Sequence, residues 1–370
     1  MCFNFSVMKE KIRIGIIGTG FARTIQIPAF QAFDDVEIVS VASGRRENAE
    51  KTARDFNIPH FTDDWRETIK RDDIDLICIT TPPFYHREMT LFALENSKHV
   101  LCEKPMAMNA GEASEMWEKS KEKNLLCLID HELRFLNGRT KAREMIRAGE
   151  IGVIRHAKYN FRAPHRGDES LSWTWWSDEK AGGGALGAVG SHIFDTLRWF
   201  TGADISSVFC QMQTHVKERR DEKTGEMRAV STDDEANLIL RFSESEYTTD
   251  ATANISLSMV EYPIYQNRVE FFGTKGAIRI EYDGELFVAK AGEESWHKVD
   301  IALNRGVDGA KPTGWNNGFL AFAEEIIEAL KNGETNVENS ATFEDGYKIQ
   351  LALDAARKSN ASGCTVKIGK

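Results

Sequence analysis

The segment that decides the fold is residues 12–23, Ile-Arg-Ile-Gly-Ile-Ile-Gly-Thr-Gly-Phe-Ala-Arg. Its first six residues are almost entirely apolar and predict a buried strand, which the Gly-Thr-Gly triplet follows directly. In a dinucleotide-binding fold, the first glycine permits a tight turn and the second lets the backbone approach a pyrophosphate. The place of a third glycine holds Arg23, and only Ala22 beside it is small. The segment favours a dinucleotide-binding turn over an ordinary strand-to-helix turn.

Strand-like and helix-like segments alternate over the first third of the chain. Apolar runs that predict strands lie at residues 12–17, 36–42, 75–81, 100–102 and 125–129. Segments that suit helices lie between them, at residues 25–33, 47–56, 87–96 and 110–123. Near-continuous apolar strands that alternate with helices predict a parallel sheet covered on both faces. The predicted class is therefore α/β, with a doubly wound Rossmann domain over residues 9–130.

The pattern changes after about residue 130. Longer segments with alternating polarity predict strands at residues 153–163, 207–215, 235–242, 248–258, 268–272, 277–282 and 286–289. Strands in succession, joined by glycine-containing turns, are typical of a large and mostly antiparallel sheet. Helices at about residues 191–200, 318–331 and 345–359 are expected to cover one face of it. Residues 131–370 are therefore predicted to form a second, α+β domain.

The composition bounds the class of protein. At 370 residues the chain is long for a single core, so two domains are expected. The formal net charge of -10 argues against a nucleic-acid groove, which needs a clustered basic face. No apolar run approaches the roughly 20 residues that span a bilayer. The six cysteines show no paired spacing, which fits reduced thiols and a cytoplasmic location.

The end of the second predicted strand indicates which dinucleotide is bound. NAD-binding proteins usually place an acid there, which accepts hydrogen bonds from the ribose hydroxyls. This chain instead ends the strand with Val41-Ala42-Ser43-Gly44-Arg45-Arg46, and the first acid in this segment is Glu47. A serine hydroxyl and two guanidinium groups can bind a 2′-phosphate. The segment favours NADP over NAD, and the alternative is a pair of solvated arginines at a helix start.

Lys104 is the strongest catalytic candidate. It lies in Glu103-Lys104-Pro105, directly after the apolar run at residues 100–102. Hydride transfer between an alcohol and a carbonyl needs a group that takes or gives the hydroxyl proton. A lysine that is desolvated beside a cofactor has a lowered pKa and serves either direction. The alternative is an ordinary surface turn.

A second loop of interest follows the third main strand, with the sequence Thr-Thr-Pro-Pro-Phe-Tyr-His at residues 80–86. A loop at the carboxyl end of a strand lines the cofactor crevice of a doubly wound sheet. His86 either contacts the nicotinamide end of a cofactor or caps the following helix. The sequence favours neither role over the other.

Residues 182–192, Gly-Gly-Gly-Ala-Leu-Gly-Ala-Val-Gly-Ser-His, form an unusual glycine-dense stretch. The stretch runs into a predicted helix, with His192 in the first turn and Asp195 one turn later. A histidine at a helix start is well placed for acid–base chemistry, because the helix dipole lowers its pKa. A structural cap is the alternative role for His192.

Further candidate contacts are aromatic and polar. Trp176 belongs to a group of three tryptophans at residues 173–176, which either walls a sugar-like ligand or packs between domains. His131 follows the last wound strand, where a substrate pocket is expected. The nine histidines show no spacing typical of metal ligands, so no metal site is predicted.

Taken in order, these motifs resemble the glucose-fructose oxidoreductase / inositol dehydrogenase / rhizopine catabolism family (Gfo/Idh/MocA). The resemblance covers the chain from Lys11 onward and rests on residues 18–22, 80–86, 103–105, 182–195, 272–278 and 343–368. It implies a Rossmann domain and a C-terminal domain whose open-faced sheet often makes dimer or tetramer contacts. It also implies that Lys104 and His192 are the lysine and histidine of the family's motifs, with a cis bond before Pro105.

The chain departs from the family at one position. Many dehydrogenases of this family have an aspartate four residues before the motif histidine, and this chain has Ala188 there. Asp195 follows His192 on the same predicted helix face, but it does not replace the missing acid. The departure puts an inositol-type alcohol oxidation in doubt and leaves a reductase acting through Lys104 and His192 workable.

The favoured function is that of an NADP(H)-dependent oxidoreductase acting on a sugar, a polyol or a related hydroxy or carbonyl compound, as a homodimer or homotetramer. Two alternatives stay open: a non-catalytic nucleotide or sugar sensor on the same fold, and a redox-neutral enzyme with retained NAD. The predicted catalytic residues are Lys104 and His192, and the predicted substrate contacts are His131, Trp176 and Asp195. The predicted cofactor contacts are Gly18, Thr19, Gly20, Phe21, Ala22, Ser43, Gly44, Arg45, Arg46, Thr80, Thr81, Pro82, His86, Glu103 and Lys104.

Overall fold

The computed structural model describes residues 11–308 and 312–369. Their contacts divide the chain into two compact units. Unit 1 contains the chain up to Ala107 together with Gly111–Phe135 and Asn304–Tyr347. Unit 2 contains Met108–Ala110, Leu136–Leu303 and the chain from Lys348 onward. The division at residue 130 into folding domains stays a prediction.

The strands are numbered in chain order. In the first half of the chain they are β1 Ile12–Ile17, β2 Val36–Ala42, β3 Phe61–Thr62, β4 Leu76–Ile79, β5 His99–Cys102, β6 Cys127–Ile129 and β7 Ile154–Arg162. The strands that follow are β8 Ile205–Gln213, β9 Glu218–Arg220, β10 Met227–Ala229, β11 Glu235–Phe242, β12 Thr248–Ser258, β13 Gln266–Gly273, β14 Gly276–Ile280, β15 Leu286–Lys290, β16 His297–Lys298, β17 Ala341–Thr342 and β18 Val366–Lys367.

The α-helices are numbered in the same way. They are α1 Gly20–Thr24, α2 Gln26–Phe30, α3 Arg46–Phe56, α4 Trp65–Ile69, α5 His86–Glu95, α6 Ala110–Glu122, α7 Asn137–Arg147, α8 Ser191–Thr201, α9 Gly314–Asn332 and α10 Phe343–Ser362. A π-helical segment, Leu186–Gly190, leads directly into α8.

The sheet of unit 1 has the strand order β17-β6-β5-β4-β1-β2-β3. Strands β1 to β6 are parallel to their neighbours, and only β17 pairs antiparallel, with β6. The near-continuous burial of β1 and β4 is typical of a parallel sheet covered on both faces. The predicted α/β class with an N-terminal Rossmann domain is confirmed.

The register of this sheet aligns the ends of five strands. Cα partners run from Ala42 through Ile17, Ile79 and Cys102 to Ile129. The residue that directly follows each of these positions therefore lies at the same edge of the sheet, where the parallel strands end. We call these residues the strand-end row: Ser43, Gly18, Thr80, Glu103 and Asp130.

The core of unit 1 includes a helix that the sequence pattern assigned elsewhere. Phe319 and Phe322 of α9 are fully buried in the same cluster as Ile14 and Ile16 of β1. The Phe319 ring also meets Phe30 of α2 edge-on, at 5.5 Å between ring centroids. The expectation that this helix covers the antiparallel sheet is wrong. An apolar helix face shows that a helix packs, but it does not show on which sheet.

The sheet of unit 2 has the strand order β16-β15-β14-β13-β7-β12-β11-β8-β18. Its neighbouring strands are antiparallel except for β7 and β12, which are parallel. Along β11, buried and exposed residues alternate, with Asn237, Ile239 and Arg241 exposed. This alternation shows that one face of the sheet is open at β11. The prediction of a large, mostly antiparallel sheet is confirmed.

Candidate functional site

The turn after β1 makes a close backbone approach that only glycine permits. Gly18 has a φ of +101°, and its N–H donates to the carbonyl of Ala42 at 2.8 Å. A Cβ at this position would lie 2.6 Å from both the carbonyl oxygen and the hydroxyl of Thr80. Both the conformation and the space therefore exclude a side chain. The turn is held against the end of β4.

Gly20 differs from Gly18 in having open space beside it. A Cβ added at Gly20 or at Gly44 would meet no atom of the described residues within 4 Å. Neither glycine is required by packing, and the absence of side chains leaves room for a ligand to approach the backbone. The residues present therefore fit the pyrophosphate and ribose of a dinucleotide.

The helical segment after the turn is interrupted and forms two short helices rather than one. Helix α1 has five residues, and Ile25, with φ -131° and ψ -64°, separates it from α2. Arg23, which stands in the third-glycine position, binds Asp55 at 2.6 Å and Thr52 at 2.9 Å on α3. The arginine thus ties α1 to α3 where a third glycine would allow close packing. The helix predicted for residues 25–33 is shorter in the structure.

The segment after β2 presents two exposed arginines in different settings. Arg46 forms an exposed ion pair with Asp63 at 3.4 Å and lies over the ring of Phe61 at 5.2 Å. Arg45 is the N-cap residue directly before α3, and its guanidinium has no ion pair among the described residues. The Ser43 hydroxyl accepts a hydrogen bond from the backbone N–H of Arg45 at 3.4 Å. It also lies 3.5 Å from the Thr19 hydroxyl, which joins the ends of β1 and β2.

The loop after β4 is fixed by Thr80 and by His86. Thr80 donates through its N–H and its hydroxyl to the carbonyl of Ile17, at 2.7 and 3.1 Å. His86 is fully buried, and its ring nitrogens lie 2.8 Å from the Thr81 carbonyl and 3.0 Å from the Pro105 carbonyl. Burial lowers the pKa of His86 to about 4. This geometry favours a role in joining two loops; contact with a cofactor stays a prediction.

The Glu-Lys-Pro segment follows β5, and the bond between Lys104 and Pro105 is cis. The Lys104 side chain is 16% exposed, and its Nζ lies 3.9 Å from Oε2 of Glu103. The same Nζ lies 5.6 Å from the centroid of the Phe21 ring, which follows the glycine turn. The amine is therefore mostly withdrawn from solvent and lies near the residue that follows the glycine turn.

Two carboxyl groups that the sequence analysis did not connect meet beside Lys104. The side-chain amide of Gln26 donates to Glu103 at 3.1 Å and to Asp130 at 2.9 Å. Asp130 is fully buried, and Glu103 nearly so. Burial raises the pKa of both carboxyl groups, and the charges of Glu103 and Glu132 raise that of Asp130 further. The one feature of the sequence that could have indicated this contact is the position of Asp130, an acid directly after the apolar strand β6.

His131 follows Asp130 in unit 1 and is 2% exposed. Its backbone N–H donates to the Ile129 carbonyl at 2.8 Å, which closes a tight turn after β6. The substrate contact predicted for His131 stays a prediction.

The glycine-dense stretch is anchored in unit 2 by the carboxyl group of Asp233. Asp233 accepts from the Leu186 N–H at 2.6 Å, and a Cβ at Gly184 would lie 2.4 Å from the same carboxyl group. Gly184 has a φ of +106°, and a Cβ at Gly183 would lie 2.4 Å from the Trp176 carbonyl. These glycines are therefore required by close approach. Burial raises the pKa of Asp233 to about 6.

The remaining predicted site residues also lie in unit 2. His192 and Asp195 lie on α8, whose eleven residues are all buried, and Ala188 lies in the π-helical segment before it. Single π-helical turns are frequent at functional sites. The guanidinium carbon of Arg166 lies 5.3 Å from the centroid of the Trp176 ring. Both residues line a small cavity. The roles predicted for these residues stay predictions.

Among residues 11–308 and 312–369, no group of three or more His, Cys, Asp or Glu residues is placed to hold a metal ion. Within the same residues, no helix has the length and apolar character to cross a membrane.

The parallel sheet with aligned strand ends and a glycine turn after β1 is that of a dinucleotide-binding Rossmann domain. A family model described as "Oxidoreductase family, NAD-binding Rossmann fold" (GFO_IDH_MocA) matches residues 12–131. A second, described as "GFO/IDH/MocA C-terminal domain", matches residues 140–279. The chain belongs to the Gfo/Idh/MocA family, and the predicted class, an NAD(P)-dependent oxidoreductase acting on CH-OH groups, is confirmed.

Characterised relatives match over nearly the whole chain. Levoglucosan dehydrogenase of Pseudarthrobacter phenanthrenivorans is 27% identical, covering 97% of this chain and 98% of its own. Myo-inositol 2-dehydrogenase of Thermotoga maritima is 24% identical, covering 96% and 98%. A structure of levoglucosan dehydrogenase in complex with NADH and L-sorbose matches with a TM-score of 0.85 at 26% identity. That match covers 98% of this chain and 100% of that one.

Replacing Gly18 by alanine is expected to destabilise the protein by roughly 2 kcal/mol or more, because the methyl group would meet Thr80 in a left-handed backbone conformation. Gly20→Ala is the matched control, since its Cβ enters open space, and we expect a change within about 1 kcal/mol. Urea unfolding of both variants measures the difference. Equal stability of the two variants would contradict the close approach described for Gly18.

The buried His86 predicts a loss of stability in acid. Its folded pKa of about 4 lies below its ordinary value of 6.5, so its contribution is present above pH 6.5 and is lost as the pH falls toward 4. The loss amounts to roughly 3 kcal/mol at most. Urea unfolding at pH 7.5 and 5.0 measures it, with His86→Gln as the non-titrating control. If the wild type and the control lose stability equally between these pH values, His86 does not titrate as described.

Proposed function

We propose that the chain is an NADP(H)-dependent oxidoreductase that transfers a hydride between the nicotinamide and a carbon of a sugar, a polyol or a related hydroxy or carbonyl compound. The observation that carries the proposal is the strand-end row, which brings the glycine turn, Thr80 and the Glu-Lys-Pro segment to one edge of the sheet. In open α/β sheets, ligands bind outside the carboxyl ends of the strands.

The preference for NADP rests on the segment after β2. A 2′-phosphate carries negative charge and accepts several hydrogen bonds, which suits the exposed guanidinium of Arg45 and the hydroxyl of Ser43. Arg46 would exchange its pairing with Asp63 for the phosphate at small cost, because both side chains are more than half exposed. No acidic side chain lies between Val41 and Arg46, at the end of β2, to accept from the ribose hydroxyls of NAD.

The substrate class is supported by the relatives. The matching structures of levoglucosan dehydrogenase contain L-sorbose or levoglucosan, and a further relative is named for myo-inositol. These compounds share secondary hydroxyl groups on a compact carbon skeleton. We propose a sugar-like substrate of this chemistry for the present chain.

Lys104 is proposed as the principal acid–base group. When bound, the nicotinamide supplies or accepts the hydride. The Nζ atom of Lys104 then takes the hydroxyl proton in oxidation and returns it to the carbonyl oxygen in reduction. Glu103 holds the Lys104 backbone through the N–H of Lys104 at 3.3 Å. His192 is the second candidate for binding or protonating the substrate oxygen.

The non-catalytic sensor remains a second candidate because of Ala188, which stands where many family members have an acid. Dinucleotide binding without turnover on a broad polyol and carbonyl panel would favour the sensor. The redox-neutral alternative requires that a dinucleotide survive purification and that turnover leave the nicotinamide absorbance unchanged.

An assembly through the open sheet face is proposed from the exposed Ile239 on β11. A second copy of the chain on this face would remove the exposed side chain of Ile239 from water. Light scattering of the purified protein measures whether it is a dimer, a tetramer or a monomer. A cytoplasmic location stays a prediction.

For the cofactor, we expect NADPH to bind more tightly than NADH, and Arg45→Ala to weaken NADPH binding by roughly tenfold or more while leaving NADH binding unchanged. Fluorescence titration measures both affinities. Arg54→Ala is the matched control, because Arg54 is an exposed arginine on α3, the helix that follows Arg45. Tighter binding of NADH would overturn the NADP assignment, and binding of neither dinucleotide would overturn the proposed function.

For the acid–base role, we expect Lys104→Met to lower kcat by roughly a hundredfold to ten-thousandfold, because the proton transfer loses its group. Turnover is measured with whichever polyol or sugar a panel screen selects, and Lys121→Met, an exposed lysine on α6, is the control. A Lys104→Met protein with wild-type kcat would show that Lys104 is not the acid–base group.

A further inference from the structure

The buried carboxyl groups of Glu103 and Asp130 are not equivalent in their hydrogen bonding. Oε1 of Glu103 accepts from Gln26 at 3.1 Å, and its Oε2 accepts from the Lys104 N–H at 3.3 Å with the Lys104 amine 3.9 Å away. In Asp130, only Oδ2 accepts, from Gln26 at 2.9 Å. Its Oδ1 is buried and receives no donor from the described residues.

This asymmetry decides which carboxyl group carries charge. A buried carboxylate oxygen without a donor is costly, whereas a protonated oxygen needs no donor. Glu103 has a donor at each oxygen and a cation nearby, while Asp130 has one donor and is fully buried. Two carboxyl groups that share one amide nitrogen cannot both ionise without strong repulsion.

We infer that Asp130 is a protonated carboxylic acid that donates a hydrogen bond to the carboxylate of Glu103, so that the pair presents one negative charge rather than two to Lys104. Asp130 is thus a positioning residue that acts on Lys104 through Glu103. The inference rests on the proposed acid–base role of Lys104 for its consequence, but not for the protonation of Asp130 itself.

The surroundings of the pair are consistent with a single charge. The titratable groups that face it from the neighbouring elements are Lys104 after β5, Glu132 after β6, Cys78 on β4 and Cys102 on β5. His86 also faces Lys104, and because its pKa is lowered by burial it is neutral at neutral pH. The positive charge of Lys104 therefore offsets the single negative charge of the Glu103–Asp130 pair.

The count of charges matters for the reaction. A carboxylate beside a lysine stabilises the ammonium form and hinders the neutral amine that accepts a proton from an alcohol. A second ionised carboxylate would strengthen this hindrance. The proton on Asp130 removes the second charge, while the remaining charge on Glu103 keeps Lys104 in place.

The protonation is tested directly by infrared spectroscopy of the full-length protein at neutral pH. We expect a carbonyl stretching band of a protonated carboxyl group that Asp130→Asn removes and that Asp73→Asn, a control at an exposed aspartate, retains. If Asp130→Asn does not fold, carboxyl-carbon NMR of wild-type protein with labelled aspartate gives the same information. A wild-type spectrum without this band, or without a protonated aspartate in the NMR experiment, overturns the inference.

The effect on Lys104 is tested by the pH profile of kcat/KM in the oxidation direction. Glu103→Gln removes the charge beside Lys104, so the acid limb is expected to move to lower pH by about one unit or more. Asp73→Asn should leave the limb in place. If the acid limb of the kcat/KM profile does not move in Glu103→Gln, the pair does not control Lys104. If Lys104→Met keeps wild-type turnover while the infrared band of Asp130 is present, only the proposed function is overturned.

Discussion

The site depends on one constraint, the register of the parallel strands in unit 1. Backbone N–H groups continue the ladder by one residue past the strands: Gly18 donates to Ala42, Thr80 to Ile17, Glu103 to Ile79 and Asp130 to Cys102, at 2.7 to 2.9 Å. Because hydrogen bonds fix these residues at a common edge, a shift of one strand would separate the glycine turn from the lysine. Backbone hydrogen bonds therefore fix the positions of the glycine turn and of the segment that carries Lys104.

Two buried polar side chains reinforce this arrangement. His86 lies between the Thr81 and Pro105 carbonyls, and Gln26 donates to Glu103 and Asp130. Each joins loops that follow different strands. Because both side chains are buried and each bridges two segments, they limit how far the loops that carry Lys104 and Asp130 can separate.

The sequence predicted the elements that depend on local pattern. The bounds of β1, β2, β11 and β12 agree with the predicted strands, because continuous or alternating apolar runs set them. It did not predict that α9 packs on the parallel sheet, or that Gln26 contacts Asp130 across 104 residues of chain. Such contacts depend on tertiary packing, and no spacing in the sequence encodes them.

Hydrogen–deuterium exchange with and without NADPH tests the central claim most directly, because it requires no knowledge of the substrate. The account predicts new protection in the segments that follow β1, β2, β4 and β5, since a dinucleotide at this edge would shield their exposed backbone. Protection confined to other segments, or no protection at a saturating concentration of NADPH or NADH, would contradict the claim that the aligned strand ends bind the cofactor.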